Sequence, residues 1–174
     1  MSNKTEIWDI YDKDRQKTGR HIQRGKKLKQ GDYHLVVHVC IMHEGKMLIQ
    51  RRHRDKSYGG LWAITCGGSA LSGEASPAAA SRELFEELSI QHDFNDERPA
   101  FTINGADDFA DFYIIRKAVD LSTLVLQESE VIGVAWASLS EIYDMMDNKT
   151  FANYKRGLIA LCFDMDKGLG NMES

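Results

Sequence analysis

Three glutamates, Glu83, Glu86 and Glu87, fall within five consecutive positions of the stretch SRELFEELSI at 81–90. Successive residues of an α-helix turn by about 100°, so side chains three and four apart are neighbours. Carboxylates gathered this way repel one another, at a cost of about a few tenths of a kcal/mol per pair. A hard divalent cation reverses the sign of that interaction. Mg²⁺ takes oxygen ligands and binds through a few carboxylates together with substrate phosphates. Arg82 stands one turn before Glu86, where it can hold that carboxylate by an ion pair, and Glu74 in the preceding loop is a candidate further ligand. Ala80, Leu84 and Leu88 form the apolar stripe that seats the helix on a sheet. The spacing of three acids alone favours a solvated helix face, because glutamate is common in exposed helices.

The surrounding register separates the two readings. From Gly68 the chain runs G-x5-E-x7-R-E-L-x-E-E and closes on Glu87. At ~7% usage per residue, its six fixed letters coincide by chance roughly once in ten million starts. The stretch 68–90 resembles the Nudix box, G-x5-E-x7-R-E-U-x-E-E-x-G-U with U apolar. Gly68, Glu74, Arg82, Glu83, Leu84, Glu86, Glu87 and Ile90 carry it, and Ser89 stands in place of the last glycine. The preceding GGLWAITCGG also resembles the family's approach to the box, with Cys66 where many members have proline.

The resemblance implies a hydrolase that cleaves the diphosphate linkage of a nucleoside diphosphate joined to a group X, using Mg²⁺ or Mn²⁺. A diphosphate is anionic and repels hydroxide, so cations that neutralise its oxygens and acidify water remove much of the barrier. By motif position, Glu83, Glu86 and Glu87 are the implied metal ligands, one of them also orienting the water. Arg82 orients the glutamates, and the Gly67 carbonyl completes the shell. The general base varies across the family. Here Glu128 and Glu130, in QESEV before the last strand, are candidates, with plain loop acids as the alternative. Arg51 and Arg52, at a strand end, are candidate phosphate contacts, with a solvated strand end as theirs. The implied partner is a small diphosphate metabolite, nucleotide-linked, and a homodimer is the assembly that the resemblance suggests.

A second enzyme class competes. EIWDIYD, YHLVVHV and LIQRR resemble the branch of the superfamily near isopentenyl-diphosphate isomerase. That chemistry needs a cysteine and a glutamate on opposite faces of the substrate. The isomerase's cysteine position falls on Gly67 and its histidine on Ser69, while His34 and Glu130 do match. Cys66 lies one residue out of register, which on a strand turns the side chain to the other face. A binding protein that keeps the fold without activity is the third class, and the intact acids argue against it. His34 and His38 share one strand face as a possible metal pair, but their apolar neighbours favour a structural role.

The elements that must position these residues are legible from pattern. EIWDIY (6–11) reads as a strand followed by a turn, and HLVVHVCIMH (34–43) with MLIQRR (47–52) as a hairpin. LWAITC (61–66) reads as one buried strand, and GGSALSGEAS as a polar loop. Ser76 as cap and Pro77 at the first helical position begin a helix that runs to about Leu88. FADFYIIRKAV (109–119) and VIGVAWA (131–137) read as strands. Ser138 and Glu141 have capping-box spacing for a helix through Met146, and 151–163 is a terminal helix. The sum is α+β: an α/β/α sandwich around a mixed β-sheet, one domain over 1–174 with a strand-and-turn extension at 1–30.

Composition narrows the class further. The 174 residues are 43% hydrophobic, with two prolines and net charge −4, as in an ordinary globular protein. The polar first twenty residues argue against a secretory signal, and no apolar run reaches the ~18 residues of a membrane helix. Three dispersed cysteines indicate a reducing compartment, hence the cytosol. Basic residues crowd 13–29 and 51–56, either as solvated surface or as a positive rim for a phosphorylated ligand. The acidic total and the lack of interleaved aromatics argue against nucleic acid.

Overall fold

The computed structural model describes residues 5–166. Its centre is a seven-stranded mixed sheet. Strand β3 (His34–His43) runs parallel to β8 (Asp108–Arg116), and β8 pairs antiparallel with the edge strand β7 (Phe101–Asn104). On the other side β4 (Lys46–Arg52) pairs antiparallel with both β5 (Trp62–Ala63) and β9 (Val131–Ala137). The β3–β4 hairpin is joined only near its turn, at Met42↔Met47 and His43↔Lys46. Beyond that the strands part, and β6 (Cys66–Ser69) pairs with the free flank of β3.

The parting explains why LWAITC is two short strands rather than one. The chain crosses from the flank of β4 to the flank of β3, and Thr65 sits at the crossing. Its hydroxyl accepts from the Ile41 N–H at 2.9 Å and donates to the Leu48 carbonyl at 2.5 Å. A fully buried side chain thus replaces a missing rung of the ladder, so the backbone groups of both strands stay satisfied.

Alternation sends the two faces of the sheet to different helices. Val37, Val39, Ile41 and Leu48 pack with Ala80, Leu84 and Leu88 of α1 (Ser76–Leu88). Cys40, Met42, Met47 and Ile49 pack on the other face with Ile142 of α2 (Leu139–Asp147) and Ile159 and Cys162 of α3 (Arg156–Asp166). This is the expected α/β/α sandwich. No described helix is long and apolar enough to cross a membrane.

Several local expectations need correction. The N-cap of α1 is Ala75, without a side-chain cap, and Ser76 lies inside the first turn. Its hydroxyl instead donates to the buried Asp111 at 2.5 Å and accepts from the Tyr113 hydroxyl at 2.9 Å, a stronger pull than capping. The basic stretch after β1 (Ile7–Tyr11) forms a second strand, β2 (Lys17–Gln23), in a two-stranded sheet of its own. Four basic residues of the stretch are ion-paired with acids outside it: Lys17 with Asp9, Arg20 with Asp32, Arg24 with Glu6, and Arg15 with the distant Asp111. β7 arises inside the segment 92–108, where no strand is expected from its weak, exposed pattern. The terminal helix begins at Arg156 because Phe151 is held in a bridge to Trp62. The capping box of Ser138 and Glu141 is present as read.

Ser89 takes the left-handed conformation, φ 56°, that its position at the end of α1 demands. Its N–H donates to the Phe85 carbonyl at 2.8 Å, closing the helix. The hydroxyl donates to the Val125 carbonyl at 3.0 Å, a contact glycine could not make. One such hydrogen bond is worth ~1 kcal/mol, close to the cost of the left-handed backbone.

Candidate active site

The parting of β3 and β4 leaves a cleft of about 140 Å³ against α1. Glu83, Glu86 and Glu87 line it together with Arg82, Gly67, Gly68, Arg52 and Glu130. Helical spacing supplies the acids, and the two glycines let them come close. A Cβ on Gly68 would stand 2.2 Å from Glu83 Oε1, so only glycine leaves room for that carboxylate. A Cβ on Gly67 would stand 2.5 Å from His38 Nδ1.

Arg82 is the keystone of the cluster. Its guanidinium donates five hydrogen bonds: two to Glu74 at 2.7 and 3.0 Å, and one each to Glu83 at 2.9 Å, Glu86 at 3.0 Å and the Ser69 carbonyl at 3.0 Å. Burial alone would weaken its proton affinity, but Glu74 and Glu83 outweigh burial and raise it. Glu74 accepts the fork with both oxygens and takes the Leu71 N–H at 2.8 Å as well. Burial works to raise its pKa, yet the bonds from Arg82 and Leu71 hold it below the usual range.

Glu87 is different. It is 5% exposed and accepts from Gln50 Nε2 at 2.8 Å. Burial, followed by repulsion from Glu83, pushes its pKa up to about 8. Burial also raises Glu83. Such a site is short of positive charge. The donors are all oxygen and share one cleft, which fits a hard divalent cation. Among the described residues no three acidic, histidine or cysteine side chains are arranged to hold an ion, and Arg82 Nη1 donates to both Glu83 and Glu86.

Of the other residues singled out from sequence, Arg52 and Glu130 reach the cleft, while Arg51 and Glu128 are exposed outside it. Adjacent strand residues face opposite ways, which separates Arg51 from Arg52. Arg51 donates to the Gly60 carbonyl at 2.9 Å and Arg52 to the Ser57 carbonyl at 2.8 Å. Glu130 is paired with Lys56. Gln50, Gln127, Lys56 and the pair Glu6–Arg24 complete the surroundings and carried no motif signal. The one signal in the sequence that could have pointed to Gln50 is its place as a lone amide closing the apolar run MLIQ.

His34 and His38 form no metal pair. His34 stacks on Trp8 with ring centroids 4.3 Å apart, and His38 packs on Phe112 at 4.5 Å. Burial lowers both, His38 to about 4. Cys66 is 0% exposed in the core beneath α1, and burial raises its thiol well above the ordinary range.

The model of the NUDIX domain matches residues 32–162, and the chain belongs to the Nudix family. An uncharacterized Nudix hydrolase of Listeria monocytogenes is 40% identical over 151 residues, covering 86% of this chain and 89% of that protein. An isopentenyl-diphosphate Delta-isomerase of Streptomyces coelicolor is 30% identical over 129 residues, covering 70% and 66%. A crystal structure of a Deinococcus radiodurans protein superposes with a TM-score of 0.74 at 21% identity, covering 90% of this chain and 99% of that one. With family, fold and relatives in agreement, the chain is a Nudix hydrolase.

Proposed function

We propose that this hydrolase is a cytosolic enzyme that cleaves the diphosphate linkage of a small nucleotide-linked metabolite with Mg²⁺ or Mn²⁺. The observation that carries the reading is the convergence of Glu83, Glu86 and the buried Glu87 with Arg52 on one cleft. The three carboxylates would hold the metal, with the Gly67 carbonyl beside them. The metal would neutralise diphosphate oxygens and acidify the attacking water. Arg52 faces the diphosphate and binds its charge, while Arg51, outside the cleft, takes no part. Glu130 is the better placed of the two candidate bases, since it lines the cleft and Glu128 does not. Glu130 is ion-paired with Lys56, which fixes its side chain at the cleft. Glu74 serves by fixing Arg82 rather than as a ligand, because Arg82 engages both of its oxygens.

The isomerase reading is disfavoured by Cys66, whose thiol is sealed in the core on the α1 side with no access to the cleft. A silent binding protein has no use for a buried repulsive pair such as Glu83 and Glu87. The test is phosphate or monophosphate release with Mg²⁺ across nucleotide sugars, dinucleotides, nucleoside diphosphates and coenzyme A, with Glu86→Gln beside the wild type. A loss of at least ~10²-fold in kcat is expected. Equal turnover by Glu86→Gln, or conversion of isopentenyl diphosphate to its allylic isomer, would sink the reading.

A further inference from the structure

The two-stranded sheet of β1 and β2 stands apart from the seven-stranded one, yet it grips the segment that leads into the glutamate helix. Between β6 and α1 the backbone makes a turn over residues 71–74. The Glu74 N–H closes it on the Leu71 carbonyl at 2.9 Å, and the Leu71 N–H donates to Glu74 Oε2 at 2.8 Å. Gly73 supplies the left-handed conformation, φ 89°, that the turn needs. The two middle residues, Ser72 and Gly73, are exposed, and β1 holds both. The Ser72 N–H donates to the Ile7 carbonyl at 2.7 Å, and its hydroxyl to Asp9 Oδ1 at 2.8 Å. The Gly73 N–H donates to Asp9 Oδ2 at 2.9 Å.

Asp9 itself is buried, 8% exposed. A carboxylate stripped of water must be paired and hydrogen-bonded, and here each oxygen makes one contact inside the hairpin and one to the turn. Oδ1 lies 3.0 Å from His21 Nδ1 and accepts from Ser72, while Oδ2 lies 2.7 Å from Lys17 Nζ and accepts from Gly73. Burial works to raise its pKa, but Lys17, Gly73 and Ser72 outweigh burial and hold it well below the usual carboxylate range. Lys17 also reaches the Glu74 carbonyl at 3.4 Å. Arg15, at the tip of the same hairpin, pairs with Asp111, which accepts the Ser76 hydroxyl in the first turn of α1. The hairpin thus grips the chain on both sides of Glu74.

We infer that Asp9 is a positioning residue for the glutamate cleft: it fixes the turn 71–74, so that Glu74 holds Arg82 and Arg82 holds Glu83 and Glu86 in place for a cation. Arg82 is a long side chain whose donors are divided among three acids and a carbonyl, so the rigid part of this relay is the backbone of the turn. The inference rests on the reading of the cleft as a metal site.

Two measurements test it without turnover: Mn²⁺ titration followed by electron paramagnetic resonance, and amide hydrogen exchange of the metal-free protein. Asp9→Asn keeps the shape and turns one acceptor into a donor. Ser72→Ala, at an exposed position, removes one bond to Asp9 and leaves the hairpin intact. Asp32→Asn is the control, because it weakens the Arg20 ion pair on the same hairpin and Asp32 has no hydrogen bond or ion pair to the turn among the described residues. Asp9→Asn is expected to speed exchange at Gly73 and to weaken Mn²⁺ binding about 10-fold, the lower end of the range for residues that orient ligands. Ser72→Ala is expected to weaken Mn²⁺ at least ~3-fold, and Asp32→Asn to leave both measurements as in wild type. Combined with Glu74→Gln, Asp9→Asn is expected to weaken Mn²⁺ no further than Glu74→Gln alone. The role of Asp9 is overturned by wild-type Mn²⁺ affinity or Gly73 exchange in Asp9→Asn, read from Ser72→Ala if Asp9→Asn does not fold. An equal loss in Asp32→Asn, or additivity with Glu74→Gln, overturns it as well. Each of these spares the metal site as long as Glu86→Gln weakens Mn²⁺, whereas wild-type affinity in Glu86→Gln overturns both.

Discussion

Replacing Arg82 by lysine keeps the charge and removes the fork, and the structure sets what that costs. Five hydrogen bonds leave one guanidinium for three carboxylates and a carbonyl, and the side chain is 20% exposed. Lysine is a point charge with three donors and cannot reproduce the bidentate grip on Glu74. Charge-assisted bonds are worth ~1.5–3 kcal/mol each, and lysine recovers some of them, so a net loss of about 2–4 kcal/mol is expected. In a chain of this size each kcal/mol moves the melting point by roughly 2–4 °C, so Tm should fall by about 4–16 °C. The cycle with Glu74→Gln carries the sharper content. If Glu74 acts only through Arg82, the double variant is no worse than Arg82→Lys alone, in urea denaturation and in kcat. If Glu74 binds metal itself, its loss is felt independently and the two effects add. Additivity in kcat, or an Arg82→Lys protein as stable as wild type, would refute the keystone role.

Other consequences follow from single contacts. Gly68→Ala places a methyl on Glu83; that carboxylate can swing away, so the protein should fold while kcat drops about 10²-fold, and unaltered kcat would contradict the crowding. His38 is held neutral in the folded state with a pKa of about 4 against its ordinary 6.5. Between those values the unfolded chain binds up to one more proton, so stability present above pH 6.5 is lost as pH falls toward 4. The ceiling is about 3 kcal/mol, and His38→Gln should remove that part of the slope in urea titrations at pH 7 and pH 4.5. Asp111, 0% exposed, accepts from Arg15, Ser76 and Thr102 and ties the N-terminal hairpin to α1. Asp111→Ala should cost about 3–5 kcal/mol in urea denaturation, and a loss below ~0.5 would show the network to be idle.

The helix of glutamates was legible because its chemistry is local: spacing of three and four residues on one helix is written directly in the sequence. The flanking strands were legible for the same reason, the runs at 34–43 and 131–137 being apolar and the first of them rich in β-branched residues. What sequence could not show was long-range. Whether Arg51 or Arg52 faces the cleft depends on the register of β4 against β9, and whether Glu128 or Glu130 does depends on how the loop enters β9. That Arg82 folds back and engages both oxygens of Glu74 was likewise not written in the register of the acids. The basic run at 13–29 looked like one surface but is divided among four acids from three other segments, Glu6 and Asp9, Asp32, and Asp111. The splitting of LWAITC turns on one hydroxyl, Thr65, finding two strands that part.

The claim at the centre of this account is that Glu83, Glu86 and Glu87 together hold a divalent cation. Mn²⁺ titration followed by electron paramagnetic resonance, on the wild type and on each glutamine variant, tests it without relying on turnover. The account predicts one site in the wild type, weakened at least ~10-fold by Glu87→Gln and by each of the other two. Wild-type Mn²⁺ affinity in all three variants would contradict it.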